Sequence, residues 1–196
     1  MTKKILMIAG PNGAGKTTTT QKLIPDFKEI YEFVNADEIA QGIAPLHPES
    51  MALTASKIMI SRLRELLSLN KNFAFETTAA GINYLKLLIE AQKKGYRIYL
   101  YFLWISSPEQ AINRVMGRVA QGGHNIPHDT IRRRYYAGLR NLIGHYLPIV
   151  DYALVIDNTL LAQRKLIARK MSKNKLQVID LKIWEDIERN AHVKVR

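Results

Sequence analysis

Apolar and polar positions follow two rhythms along this chain, and the switch between them recurs from end to end. Residues 5–9, Ile5-Leu6-Met7-Ile8-Ala9, form an unbroken apolar run suited to a strand buried on both faces. Residues 16–24 lack Gly and Pro and predict a helix. Residues 31–35 predict a second short strand, ending at Asp37. Residues 49–69 place Met51, Leu53, Ile58, Met59, Leu63, Leu66 and Leu67 at helical spacing, which predicts a long amphipathic helix. A third strand over 72–75, closed by Glu76, precedes a helix over 83–94 that Gly95 stops. Residues 96–105 read as a long buried strand and 108–119 as a helix with Pro108 in its first turn. Gly122-Gly123 interrupts, Pro127 opens a helix reaching about Tyr146, and 151–156 gives a fifth strand.

Five strands alternating with helices predict a three-layer α/β domain: a mostly parallel five-stranded sheet with helices on both faces. The tail departs from this alternation. Residues 165–170 and 176–179 predict a hairpin and 183–190 a closing helix. One domain is expected over 1–196, with the tail from about 160 as an appendage.

The turn after the first strand carries the chemistry. Gly10-Pro11-Asn12-Gly13-Ala14-Gly15-Lys16-Thr17 fills every fixed position of G-x-x-x-x-G-K-[ST], with Thr18 behind it. Glycines let backbone N–H groups turn onto phosphate oxygens, and the helix N-terminus adds partial positive charge. Lys16 reaches the β- and γ-phosphates, and the Thr17 hydroxyl can ligate Mg²⁺. A strand before and a helix after make this a nucleoside-triphosphate site, with ATP and Mg²⁺ as the expected cofactors.

Composition narrows the partners. Net charge is +12, from 29 Lys plus Arg against 17 Asp plus Glu, which favours anionic ligands. Cysteine is absent, so thiolate metal sites and disulfides are excluded. Apolar runs are too short for a signal peptide or a bilayer span, and a cytoplasmic protein with no membrane contact is expected. No guanine-reading Asn/Thr-Lys-x-Asp motif and no Leu-Ser-Gly-Gly-Gln-like signature occurs, so a compact phosphotransferase is the class left.

Several residues suit that class. Asp37, at the end of the second strand, can accept the proton of an attacking hydroxyl, or cap the helix that follows; the two roles are compatible. Glu76, before Thr77-Thr78, can hold an acceptor hydroxyl or a water on Mg²⁺, or pair with a nearby base. Arg114 and Arg118 lie four apart and share a helical face, as arginines of a lid over 114–134 would. Of Arg132, Arg133 and Arg134, at least one is expected to face solvent. Asp157 looks superficially like a metal-orienting acid but comes late in the chain.

Taken in order, the Gly10–Thr17 loop, Asn35-Ala36-Asp37, Phe75-Glu76-Thr77-Thr78, Lys94-Gly95-Tyr96, the arginine-rich segment and Asp157-Asn158 resemble the zeta-toxin-like P-loop kinases over residues 3–158. The resemblance implies a kinase of the kind that phosphorylates the 3′-hydroxyl of UDP-N-acetylglucosamine. It implies that Asp37 is the base, Lys16 and Thr17 the nucleotide and Mg²⁺ residues, Glu76 and Thr77 substrate residues, and Arg114 the first lid arginine. His124, a further substrate-side candidate, stands in the place of a second arginine, three residues before Pro127, and Arg118 can substitute for that arginine. It also implies a small-molecule acceptor, a UDP-sugar among the possibilities, and an antitoxin partner. A nucleic-acid-end or tRNA kinase and a regulatory ATPase without phosphotransfer are the alternatives. Nucleic acid is not the expected partner, because the functional arginines cluster where the γ-phosphate alone requires them.

Overall fold

The structure, a computed structural model, describes residues 2–27, 29–123, 125–160, 163–172 and 174–193. Its elements run β1 (Lys3–Ala9), α1 (Lys16–Leu23), β2 (Glu32–Val34), α2 (Ala36–Ile43), α3 (Ala52–Ser68), β3 (Phe73–Thr77), α4 (Leu85–Lys93), β4 (Tyr96–Trp104) and α5 (Pro108–Val119). After these come α6 (His128–Asn141), a π-helical turn (Leu142–Tyr146), α7 (Leu147–Ile149), β5 (Tyr152–Asp157), β6 (Lys165–Lys170), β7 (Gln177–Val178) and α8 (Leu181–Ala191). Among the described residues the strands form one seven-stranded sheet in the order β2-β3-β1-β4-β5-β6-β7. The first five are mutually parallel, and β6 and β7 add on antiparallel.

The sequence therefore reads correctly as five parallel strands, and the hairpin has a place that periodicity did not show. It widens the main sheet by pairing β6 with β5 rather than standing apart as a separate layer. Its second strand is only two residues long, and α8 packs over the hairpin and α6.

β1 lies between β3 and β4, and Ile5 to Ala9 are completely buried. Alternation splits this strand between two cores. Ile5, Met7 and Ala9 face the large core, where α3, α4, α5, α6 and α8 contribute residues such as Met59, Leu88, Val115, Tyr135 and Trp184. Leu6 and Ile8 face a much smaller core with Ile30 and Ala74, bordered by Ile24 and Phe27 just beyond α1. The unbroken apolar run follows from this two-sided burial. The parallel arrangement sends the ends of β1, β2, β3, β4 and β5 to one edge, where α/β sheets hold their ligands.

The helices differ from the sequence reading mainly at their ends. α3 begins at Ala52, after a 3₁₀ turn over Pro48–Met51. α5 spans residues 108–119 as expected. Gly122 and Gly123 then close it, their N–H groups bonding the carbonyls of Val119 and Arg118 in a Schellman pattern. The helix expected to reach Tyr146 changes character at Leu142, where a π-helical turn begins.

That region holds the strand end that forms one wall of the site. Asn141 Nδ2 donates to the Ala79 carbonyl at 2.8 Å, and the Tyr146 hydroxyl donates to the Gly81 carbonyl. Gly138 permits the close approach: a Cβ there would sit 2.7 Å from the Thr78 carbonyl oxygen. Gly138→Ala is expected to destabilise the fold, because overpacking of about 1–3 kcal/mol outweighs a helix-propensity gain of up to about 1 kcal/mol. The urea unfolding midpoint measures this. A variant as stable as the parent would mean that α6 does not bear on the Thr78 loop.

Candidate active site

The phosphate loop links β1 to α1 with three glycines at positive φ: Gly10 at 139°, Gly13 at 73° and Gly15 at 80°. Gly10 also passes so close to β4 that any Cβ would collide with the Leu103 carbonyl. Lys16 Nζ donates to the carbonyls of Gly10 (3.0 Å) and Pro11 (2.9 Å), so its ammonium is folded over the loop it serves. Burial pushes its pKa down, and Glu76 and Asp37 oppose this. Thr17 and Thr18 are exposed at the start of α1.

Glu76 ends β3 beside the loop. Thr20 Oγ1 donates to its Oε1 at 2.6 Å; Thr17 Oγ1 at 3.1 Å and Asn35 Nδ2 at 3.3 Å donate to its Oε2. Glu76 is 6% exposed, and these donors are what make the burial of its carboxylate tolerable. Asn35 has a second task. Its Oδ1 accepts from the Asp37 N–H at 2.9 Å and caps α2. The cap that could have occupied Asp37 thus belongs to Asn35, the residue with the extended backbone that capping needs. Asp37 lies in the first turn of α2 with its side chain exposed and no hydrogen-bond partner among the described residues.

Two adjoining cavities open at this edge of the sheet. Asn12, Lys16, Asn35, Asp37 and Glu76 line both. The larger, about 1010 Å³, runs along the phosphate loop past Gly13, Gly15, Thr17, Arg114 and Arg118. The smaller, about 550 Å³, is walled by Ala40, Ser56, Thr78, Tyr84, Ile126 and Arg134. Thr77 lines it too, while its hydroxyl accepts from the Ala79 N–H at 3.1 Å and shapes a turn in which Ala79 holds a φ of 56°.

The arginines separate by contact. Arg114 turns its guanidinium onto carbonyls, donating to Gly13 (3.2 Å), Asn158 (2.9 Å) and Thr159 (2.7 Å). The expected phosphate-facing arginine is, as placed, a brace behind the phosphate loop. Arg118 is exposed along the larger cavity. Asp157 accepts from the Thr159 N–H at 2.8 Å and shapes the turn after β5, away from both cavities. Asn158, fully buried, donates to the Ala14 carbonyl at 2.6 Å and supports the loop from beneath. His124 lies outside the described residues. Asn158 as a loop support and Arg134 as a cavity residue are not evident from local sequence pattern, although the spacing of Arg134 from Ile131 and Gly138 is a signal for the latter.

Thr17 and Glu76 offer hard oxygen donors suited to Mg²⁺. Among the described residues no group of three or more His, Asp or Glu side chains could hold a metal. At nucleotide sites Mg²⁺ takes one or two protein ligands and completes its shell with phosphate oxygens and water. Also among the described residues, no helix is long and apolar enough to cross a membrane.

Comparison with known proteins agrees with this architecture. A family model described as zeta toxin matches residues 1–159. An uncharacterized protein of Haemophilus influenzae is 27% identical over 135 residues, 69% of this chain and 94% of its own. A chain of the PezAT chromosomal toxin–antitoxin system of Streptococcus pneumoniae superposes with a TM-score of 0.65 at 18% identity, covering 96% of this chain and 86% of that one. A chain of the AvrRxo1-ORF1:AvrRxo1-ORF2 complex gives 0.76 at 13% identity, with all of this chain spanning 66% of its length. The structural likenesses are ones of fold, and the match over residues 1–159 is one of sequence. With a complete phosphate loop at the end of its central strand, the chain belongs to the zeta toxin family of P-loop phosphotransferases.

Proposed function

We propose that this protein transfers the γ-phosphate of ATP to a hydroxyl of a small acceptor, a sugar nucleotide or similar compound. One observation carries the reading: Lys16 and Asp37 stand in the shared wall of two cavities, so a triphosphate in the larger presents its terminal group to whatever occupies the smaller. ATP as the nucleotide draws support from the AvrRxo1-ORF1:-ORF2 complex, which has been solved with ATP.

In this mechanism the acceptor oxygen bonds to the γ-phosphorus as the bond from that phosphorus to the β–γ bridging oxygen breaks. The acceptor's proton passes to Asp37, and ADP leaves. Lys16 exchanges its carbonyl contacts for phosphate oxygens, and Arg118 supplies positive charge from α5 as charge develops. Arg114, Asn158 and Asn35 act one step removed, holding the loop and Asp37 in place. Mg²⁺, held by Thr17 with Glu76 behind it, would neutralise phosphate charge. An antitoxin-type partner is part of the proposal and rests on the likeness to the PezAT system.

A nucleic-acid acceptor is the competing reading, raised by the +12 charge and by a fold likeness to a chain of the Pnkp1/Rnl/Hen1 RNA repair complex, with a TM-score of 0.54 at 19% identity. The smaller cavity argues against it. Its walls carry Asp37, Glu49 and Glu76 against Lys16 and Arg134, which is no channel for a polyanion.

Asp37→Asn tests the proposal directly. Turnover should fall by about 10²–10⁴, the usual worth of a general base, with ATP affinity nearly unchanged. Equal losses in turnover and ATP binding would assign Asp37 to nucleotide or metal instead. Lys16→Ala should lower kcat by about 10²–10³ or more without shifting the melting temperature, because the ammonium contacts only loop carbonyls; near-parental activity would remove the phosphate loop from the mechanism. Single-stranded RNA should bind weakly, with an affinity that falls steeply with salt and no effect on ATP turnover. Tight binding at physiological salt that stimulates turnover would favour the nucleic-acid kinase.

A further inference from the structure

Arg134 is the cation of the smaller cavity that phosphotransfer leaves unused. It shares a helical face with Ile131 and Gly138, three residues before and four after it. Ile131 is buried in the large core, and Gly138 abuts the Thr78 carbonyl. Arg134 therefore leaves α6 toward the loop that walls the cavity, and it lines that cavity. Its neighbours go elsewhere. Arg132 pairs with Glu109 and Asp129 at the surface, and Arg133 is exposed.

The guanidinium is half-buried yet has no hydrogen bond or ion pair among the described residues. Burial lowers its pKa, with the charge of Asp37 acting in the opposite sense. A cation taken from water without a partner is costly unless an anion arrives. Position sets it apart from the nucleotide arginines: Arg114 and Arg118 line the nucleotide groove, whereas Arg134 lines only the acceptor side. The other cation of the smaller cavity, Lys16, belongs to the phosphate loop.

We propose that Arg134 is an acceptor-binding residue, and that the acceptor carries one compact anionic group, a carboxylate or a phosphate monoester, held by this guanidinium while its hydroxyl faces Asp37. The planar fork of arginine matches either group with paired hydrogen bonds. A single available guanidinium suits one such group better than an extended diphosphate. The inference rests on the phosphotransfer reading of the site and, within the small acceptors of that reading, selects a hydroxylated acid or monophosphate over a sugar nucleotide.

The test uses the full chain loaded with Mg²⁺ and AMP-PNP, which occupies the phosphate loop, titrated with inorganic phosphate and separately with acetate by NMR. The loaded parent should bind at least one of the two anions. Arg134→Ala should weaken that binding about tenfold or more, and Arg134→Lys by less, a tenfold change being about 1.4 kcal/mol. AMP-PNP affinity and melting temperature should stay at parental values. Phosphate binding alone would indicate a phosphate ester, acetate alone a carboxylate, and both a site open to either. The proposal is overturned if the loaded parent binds neither anion, if Arg134→Ala binds as the parent does, or if Arg134→Ala loses AMP-PNP affinity, which would place the arginine on the nucleotide. AMP-PNP binding that persists in the parent and disappears in Lys16→Ala would leave the phosphotransfer reading intact in the first two cases. Should the alanine variant fail to fold, Arg134→Lys decides between the same outcomes.

Discussion

Glu76 is a carboxylate buried at the point where three segments must meet. Its oxygens accept from Thr17 and Thr20 on α1 and from Asn35 at the end of β2. A carboxylate so placed cannot be left without donors, so the first turn of α1 and the β2–α2 junction are drawn to the end of β3. Two results follow from this one requirement. The phosphate loop, continuous with α1, is set relative to the sheet. Asn35, oriented by its amide contact, presents its oxygen to α2 and leaves the Asp37 side chain unclaimed. The proposed base and the proposed nucleotide site are registered against each other through a residue that need not take part in bond-making.

Positive charge is divided with similar economy. Lys16, Arg114, Arg118 and Arg134 lie around one sheet edge, yet their contacts differ in kind. Arg114 is spent on three backbone carbonyls, Lys16 on two, and Arg118 and Arg134 line different cavities. Among the described residues, most of the other basic side chains are at the surface, where their charge shapes long-range attraction more than any single contact.

What was legible in the sequence is what contiguous residues decide. The phosphate loop is complete within eight positions, and its flanking strand and helix lie within a further fifteen, so local pattern was sufficient. The strands and α5 were readable for the same reason. Sheet order was not, since placing β3 beside β1 depends on contacts about seventy residues apart. The hairpin was visible as a hairpin, but its pairing with β5 is again a long-range choice. Capping by Asn35 rather than Asp37 was within reach, as asparagine is a strong N-cap and an acid suits the first turn. The fate of Arg114 was not, because the carbonyls it meets lie 101 and about 45 residues away. In the run Arg132–Arg134 each step turns the helix by roughly 100°, so only the apolar neighbours could show which arginine faces inward.

The brace formed by Arg114 and Asn158 has a thermodynamic consequence. It joins the carbonyls of Gly13 and Ala14 to the turn that leads out of β5 toward β6. Whatever steadies the phosphate loop therefore steadies the start of that crossing, and by reciprocity the hairpin's docking on the sheet contributes to how well formed the loop is before any ligand arrives. A chain ended just after β5 would keep every residue of the phosphate-binding motif. It would lose the Thr159 carbonyl that Arg114 grips and the Arg164 side chain that bonds Asn158, and with them part of the loop's readiness to receive phosphate. Preorganisation of the site is thus distributed over a stretch of chain far longer than the motif that names it.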